Sequence, residues 1–521
     1  MPNQQTDQLF QLIKSLTKAE KRNFKLFAKR GSANDDLKFI LLFDAIEKQT
    51  VFDEEQILKK VKTIKKAQLS NLKAHLYKQL LTSLRLSHSN HNIDIQIREN
   101  IDYARILYNK GLYKQSLKLL EKTKTIALDA KQTVLCLEIV QFEKHIELHH
   151  ITRSIKTRAE EISKESEEIT SMVVNETQFS NLAIRLYGLY LKVGFIRNEK
   201  DYVFITEFFN ANLPDYNIEE LGVFEKISLY QSYVWYYYIV VDFLNGYRYA
   251  QKWIDLFEEH PQLIKTHHEQ YLKGLHNLLA TLFNIGHYTK LIETLKTLEN
   301  FENRDDIQWD KNEQMAYFVY KYSSRIDKHF LEGSFTEGVK LAAEIEEKLA
   351  SHFNKIDEHR ILVINYKIAC LYFGSGDNKN TIKYLNKIIN IKVDEIREDI
   401  HCFARILNLI AHFELQNDDL LEYQIKTVYR FLIKMNDLQQ VQIEILNFLR
   451  RLSKINRNNL QGEFIKLKNK LVKLKDNPYE NRPFLYLDII SWLQCKIEGK
   501  TVQEIIQNKF KLHFKEEFIR S

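Results

Sequence analysis

The sequence predicts an all-α protein built by stacking helical hairpins, and three observations carry that prediction. Turn-like positions recur at Gly111, Ser154, Lys200, Asn245, Gly286, Gly333, Gly376 and Asn417, with gaps of 43, 46, 45, 41, 47, 43 and 41 residues. A pitch of that size belongs to arrays of helix pairs. Only 14 Gly and 5 Pro occur in 521 residues, far below average usage, which suits long helices joined by short turns. No segment shows the apolar/polar alternation of a strand. A chain of this length outgrows one globular core, so it must divide into domains or grow by stacking repeats.

Residues 1–92 stand apart as a helical head, and charge marks them out. Residues 1–100 contain 18 Lys+Arg and 11 Asp+Glu, a surplus equal to the whole formal net charge of +7. Thr17 and Glu20 have the spacing of a capping box, which starts a helix carrying Lys18, Lys21, Arg22, Lys25 and Lys29 on one face. A second cluster, Lys59, Lys60, Lys62, Lys65 and Lys66, lies between a helix opened by Asp53, Glu54 and Glu55 and a longer helix from about Ala67 to Leu86. Short helices with lysines at a turn give the outline of a helix-turn-helix domain, in which one helix enters a DNA groove and lysines meet phosphates. The alternative is a solvated lysine face that docks an acidic protein, since no Arg/Asn/Gln recognition set is identifiable.

Residues 93–455 carry the repeat. Its clearest unit is Tyr103 to Ala127, with an apolar helix, a turn at Gly111, an aromatic at Tyr113 and a small residue at Ser116 opening a second helix. Related patterns occur at Asn245 with Tyr247 and Ala250, at Gly286 with Tyr288, at Gly333 with Phe335 and Gly338, and at Gly376-Asp377 with Ala369, Tyr372 and Thr381. Glycine reaches the left-handed conformation that ends a helix, and a small residue lets two helix axes approach. These units resemble the tetratricopeptide repeat. Leu291 and Glu422 stand where that family has a small residue, Asn378 and Asp419 where it has an aromatic, and the pitch exceeds the family's roughly 34 residues. The resemblance implies a solenoid of about eight long, divergent helix pairs with a concave face that takes up a protein segment. The segments EKRNFKLFAKR of the head and EYQIKTVYRFLIK of the last repeat resemble repeat proteins to which no activity attaches, so the likeness implies none here.

Residues 456–521 fit no repeat. A basic stretch from Phe464 to Lys475, two prolines at Pro478 and Pro483, and the aromatic segment PFLYLDIISWLQCKI are expected to form capping helices over the last repeat.

Enzyme signatures are missing from the sequence. There is no Walker loop, dinucleotide-binding glycine turn or nucleophile elbow. His145 and His149 share a helical face in HIELHH, but the order of a zinc protease is not met, and a packed histidine pair is preferred to a metal site. The expectation is a non-enzymatic protein with no cofactor and no metal. Cys136, Cys370, Cys402 and Cys495 form no CxxC pair, no signal peptide is visible, and the least polar window, Ile227 to Val241, is bracketed by Lys226 and Asp242. Those features predict a cytoplasmic protein without a membrane span. Within that window Tyr230, Tyr233 and Tyr237 are candidate peptide-gripping residues, with interhelical packing as their alternative role. The function expected is an interaction scaffold or adaptor. The alternative is a regulator whose head binds nucleic acid and whose repeats sense a partner. Oligomeric state does not follow from the sequence.

Overall fold

The computed structural model describes residues 7–29, 34–89, 92–150, 157–307, 309–352, 357–391, 397–435, 437–452, 460–475, 477, 479–480, 484 and 488–520. The protein is all-α, and no strand occurs among the described residues. It divides into two compact units, residues 1–173 and 174–521, with the division inside one long helix.

In the first unit, α1 (Gln8–Ser15), α2 (Lys18–Lys29), α3 (Asn34–Glu47), α4 (Glu54–Lys60) and α5 (Lys66–His88) form the head. Each start has a local cause. Thr17 and Glu20 make the reciprocal capping box, with the Glu20 amide donating to Thr17 Oγ1 at 3.2 Å and the Thr17 amide to Glu20 Oε2 at 2.7 Å. Asp53 caps α4 by accepting from the amides of Glu55 and Gln56. Ile13, Phe24, Leu42, Phe43, Ile46, Leu76 and Leu80 give the head its own core. A separate core joins α6 (Ile93–Asn109), α7 (Tyr113–Asp129), α8 (Thr133–His150) and the first part of α9 (Arg158–Val193).

The second unit continues with α10 (Glu199–Asn212), α11 (Val223–Ile239), α12 (Phe243–Glu259), α13 (Gln262–Thr266), α14 (His268–Ile285) and α15 (Tyr288–Asn300). Then come α16 (Lys311–Glu332), α17 (Phe335–Gly338), α18 (Lys340–His352), α19 (Glu358–Ser375), α20 (Asn378–Ile389), α21 (Glu398–Glu414) and α22 (Asp418–Lys434). The last helices are α23 (Gln440–Leu452), α24 (Leu460–Lys475), α25 (Ile489–Glu498) and α26 (Val502–Arg520). Packing follows chain order: α12 rests on α11 and α14, α14 on α15 and α16, α19 on α16, α20 and α21, and α22 on α21 and α23.

The hairpin turns are marked by left-handed residues at Gly111, Gly194, Val241, Gly286, Gly333, Gly376 and Gln416. Three of these differ from the expected anchors. Lys200 lies in the first turn of α10, which Asn198 caps, and the left-handed residue is Gly194. Asn245 lies in the first turn of α12, whose cap is Asp242, and the left-handed residue is Val241. Gln416, not Asn417, turns the chain before α22. The turn expected at Ser154 and the prolines Pro478 and Pro483 lie outside the described residues. A further left-handed turn at Lys131 joins α7 to α8.

Placing the turn correctly also places the small residue. Five positions after the left-handed residue stand Ser116, Gly246, Gly338 and Thr381, all buried in the contact between paired helices. Ser116 Oγ donates to the Ala104 carbonyl at 2.8 Å across that contact. Ala250, the small residue expected after Asn245, is one helical turn beyond Gly246 and buried on the same face. After Gln416 the position is Leu421, which is buried, and Glu422 points to solvent in an ion pair with Lys426.

In the tail, Trp492 of α25 is buried and its indole N–H donates to Glu414 Oε1 at 2.6 Å. α26 then runs back along earlier hairpins: Thr336 donates through its amide and hydroxyl to Gln503 Oε1 at 3.0 and 2.9 Å, and Phe510 meets the Tyr288 ring at 4.8 Å. The terminal segment thus covers the turn ends near Gly333 and Gly286 as well as α21.

Candidate functional site

Within the second unit the helices enclose a chamber of about 770 Å³. Most of its wall comes from α9, α11, α14, α16 and α19, with Phe335 of α17, Ile400 of α21, and Phe195 and Arg397 from between helices. On α11 the lining residues are Gln231, Val234, Trp235 and Tyr238, spaced three and four apart as one helical face requires. Phe484, Asp488, Val502 and Ile506 from the tail complete the wall. Ile184 also lines the chamber and is 67% exposed, so the space opens to solvent there.

The wall is aromatic and cationic. Trp235 packs on Tyr187 at 4.8 Å and on Tyr190 at 5.2 Å, and His276 stacks on Tyr320 at 4.2 Å. Four cations line it: Lys273, Arg360, Lys367 and Arg397. Lys367 Nζ donates to both oxygens of buried Asp327 at 2.6 and 2.7 Å. Burial raises the Asp327 carboxyl above its ordinary range, against the pull of Lys367. Arg397 is itself buried in a left-handed conformation, donating to Asp399 through Nη2 at 2.7 Å and to the Tyr190 hydroxyl at 2.9 Å. Asp488 caps α25 by accepting from the Ser491 amide at 3.0 Å.

Lys273 and Arg360 differ from the other two cations. Among the described residues no carboxylate lies within ion-pair distance of either, and Glu269, one turn before Lys273, is exposed. Burial holds the Lys273 ammonium below its ordinary range, with Arg360 adding to the fall and Glu269 opposing it. Burial also pushes the His276 imidazole down to about 3, helped by the charges of Lys367, Arg360 and Lys273. His359 falls to about 3 as well, through burial and the charge of Arg397. One nitrogen of each of Trp235, His276, Asn277 and His359 has no hydrogen-bond partner.

The tyrosines singled out in the sequence take another face of α11. Tyr230 is buried against Tyr249 at 5.9 Å. Tyr233 stacks between Tyr249 and Tyr237 at 4.2 and 6.0 Å, and its hydroxyl pairs with that of Tyr216 at 2.9 Å. None of the three lines the chamber, which takes Tyr238 and Trp235 from the same run.

In the head, the two lysine clusters behave differently. Lys25 lies 2.7 Å from Asp44 and Lys21 lies 3.2 Å from Glu47, so α3 neutralises two of the five cations on the α2 face. Lys18, Arg22 and Lys29 are exposed and have no ion partner among the described residues. Lys59, Lys60, Lys62, Lys65 and Lys66 are all exposed, with no ion pair among the described residues, because Val61 and Ile64 between them turn into the core. That alternation makes a loop whose apolar residues anchor it and whose charges face water.

His145 and His149 come together, with ring centroids 5.2 Å apart, while Glu147 and His150 are engaged elsewhere. His145 packs on Tyr108 and Phe142, Glu147 pairs with Arg158 at 3.6 Å, and His150 stacks on Tyr113 at 4.0 Å. Among the described residues no group of three or more side chains is placed to hold a metal. None of the four cysteines is joined in a disulfide, and no described helix is long and apolar enough to cross a membrane.

No protein family matches the chain, and neither a curated protein nor a solved structure resembles it.

Proposed function

We propose that this protein is a non-enzymatic, cytoplasmic interaction scaffold: a tetratricopeptide-like solenoid that receives part of a partner protein in the chamber of its second unit. The observation that supports this reading is the wall itself, built mostly from α9, α11, α14, α16 and α19 and open to solvent at Ile184. A cavity of about 770 Å³ falls within the range of binding clefts, and its aromatic wall suits them. The repeat supplies a surface for recognition, which is the role this reading gives it.

The test is affinity purification of the full chain and of an Ala280→Trp variant that fills the chamber, each with and without nuclease. Nuclease-resistant partners that bind wild type and are lost from the filled variant support the scaffold. Partners that bind both chains equally would remove the chamber from the mechanism.

A second reading, a nucleic-acid-binding regulator, is favoured by the lysine loop between α4 and α5. Five exposed cations at the end of α4, in the linker and at the start of α5, with no ion pair among the described residues, suit phosphate contact. Changing all five to Gln should abolish binding to a duplex of random sequence and remove its salt dependence, read by fluorescence anisotropy. Equal binding by wild type and variant would leave the loop to an acidic protein partner or to solvent.

A further inference from the structure

The chamber holds an electrostatic imbalance that its own residues do not resolve. Asp327 is committed to Lys367, Asp399 to Arg397 and Asp488 to the start of α25, while among the described residues Lys273 and Arg360 have no carboxylate within ion-pair distance. Both are half-buried, and a cation removed from water without a counter-ion is costly, so a protein that keeps two on one cavity wall gains from an anion arriving there. The cations are also grouped: the charges of Lys273, Arg360 and Lys367 all act on His276, and Arg360 sits 5.6 Å above the Tyr320 ring on which His276 stacks. The same chamber is lined by apolar and aromatic surfaces, including the packed Tyr187 and Trp235.

We propose that the chamber is a binding site for an organic carboxylate on an aromatic or apolar body, with Lys273 and Arg360 holding the charge and the Tyr187–Trp235 wall holding the body. The guanidinium offers a fork matched to two carboxylate oxygens, and the ammonium adds a point charge. The neutral imidazole of His276 and the amide of Asn277 add polar contacts without adding charge. The carboxylate is that of a free small acid or that of a peptide's C-terminal residue. This site deepens the scaffold reading and rests on its chamber admitting guests.

The experiment uses the full chain and two fluorescent probes of like shape: anilinonaphthalenesulfonate, which is anionic, and phenylnaphthylamine, which is neutral. Both should bind wild type and lose binding in Ala280→Trp. Lys273→Met and Arg360→Met should each weaken the anionic probe by about tenfold, the size of one lost charge-assisted contact, and leave the neutral probe unchanged. Lys273→Gln serves as a second variant if Lys273→Met fails to fold, judged by circular dichroism. An anionic probe indifferent to both cations, with the neutral probe still bound, would overturn the carboxylate site and keep the chamber. Failure of the neutral probe to bind wild type would overturn the chamber and the site together. Competition then identifies the source: phenylpropanoate represents a free acid, N-acetylphenylalanine a peptide terminus, and the stronger competitor names the origin. Displacement by N-acetylphenylalaninamide as strong as by its acid would remove the carboxylate from the proposal.

Discussion

Gly376 ends α19 at φ +88°, and no heavy atom stands within 4 Å of the place a Cβ would take. Its requirement is therefore one of backbone conformation alone, and Gly376→Ala should cost about 1 kcal/mol. Gly333, at φ +68°, carries a second constraint, because a Cβ there would lie 2.8 Å from the Gln507 amide nitrogen of α26. Gly333→Ala should lower the urea midpoint further than Gly376→Ala, and equal losses would mean that α26 does not press on that turn. The converse holds at Gln416, which is exposed at φ +58° with the wrong residue for its conformation. Gln416→Gly should raise stability by about 1 kcal/mol, measured on the same denaturation scale.

These same residues explain which turns could be read from the sequence. Gly111, Gly286, Gly333 and Gly376 announce themselves by residue type. Lys131, Val241 and Gln416 adopt the same conformation without the residue that signals it, so a search for glycine passes over them or lands one turn late. At Asn245 the pattern still matched because Ala250 and Gly246 are four apart and share a helix face.

At the scale of elements, the helices of the first unit are tied by a charge network. Lys124 of α7 donates to Glu143 of α8 at 2.8 Å and to Glu165 of α9 at 3.0 Å, while Arg158 reaches Glu143 at 3.3 Å. Glu143 is 1% exposed, and burial raises its carboxyl above the ordinary range despite both cations. Removing Lys124 leaves that carboxylate short of a partner. Lys124→Met should therefore destabilise the unit by about 3 kcal/mol, whereas Lys124→Met with Glu143→Leu should recover most of the loss. A double variant no more stable than the single one would show that packing, not uncompensated charge, sets the cost. No sequence spacing announces this network, because its members are brought together only when three helices pack. The same limit applies to α11: its tyrosines were legible as an aromatic run, but the face turned to the chamber follows from the helices on either side. Tyr230, Tyr233 and Tyr237 belong to a stacked cluster with Tyr249, and Trp235 and Tyr238 belong to the wall. The head was more readable, since the Thr17–Glu20 and Asp53 caps are local. Its lysine face on α2 was not, since Asp44 and Glu47 arrive from α3.

For the second unit as a whole, buried histidines give stability a pH dependence whose sign follows from their shifts. His276 and His359 are held down to about 3 by burial and neighbouring cations, and His267 and His401 to about 4, with burial the first cause in each. Their ordinary value lies near 6.5. A group whose folded value is depressed contributes stability above its unfolded value and loses it as pH falls toward the folded one. Between pH 7.5 and 5.5 the unfolded chain takes up protons at these histidines and the folded chain does not. His276 and His359 should then each remove about 1.4 kcal/mol, and the other two act in the same direction. Asp327, raised by burial, opposes this: it favours the folded state as pH falls and loses that contribution as pH rises through its folded value. The carboxylates whose values are lowered, such as Glu302 and Glu346, release their stability only below the ordinary carboxylate range and so fall outside this window. The urea midpoint should therefore drop from pH 7.5 to pH 5.5, and His276→Phe, which keeps a ring against Tyr320, should shrink the drop. A midpoint that is flat over this window in wild type would mean that the chamber admits water and protons to His276 while the fold is intact. An organic anion bound beside Lys273 and Arg360 would also lower the cost of a charged His276, so saturating the chamber with the anionic probe should flatten the profile where the neutral probe does not.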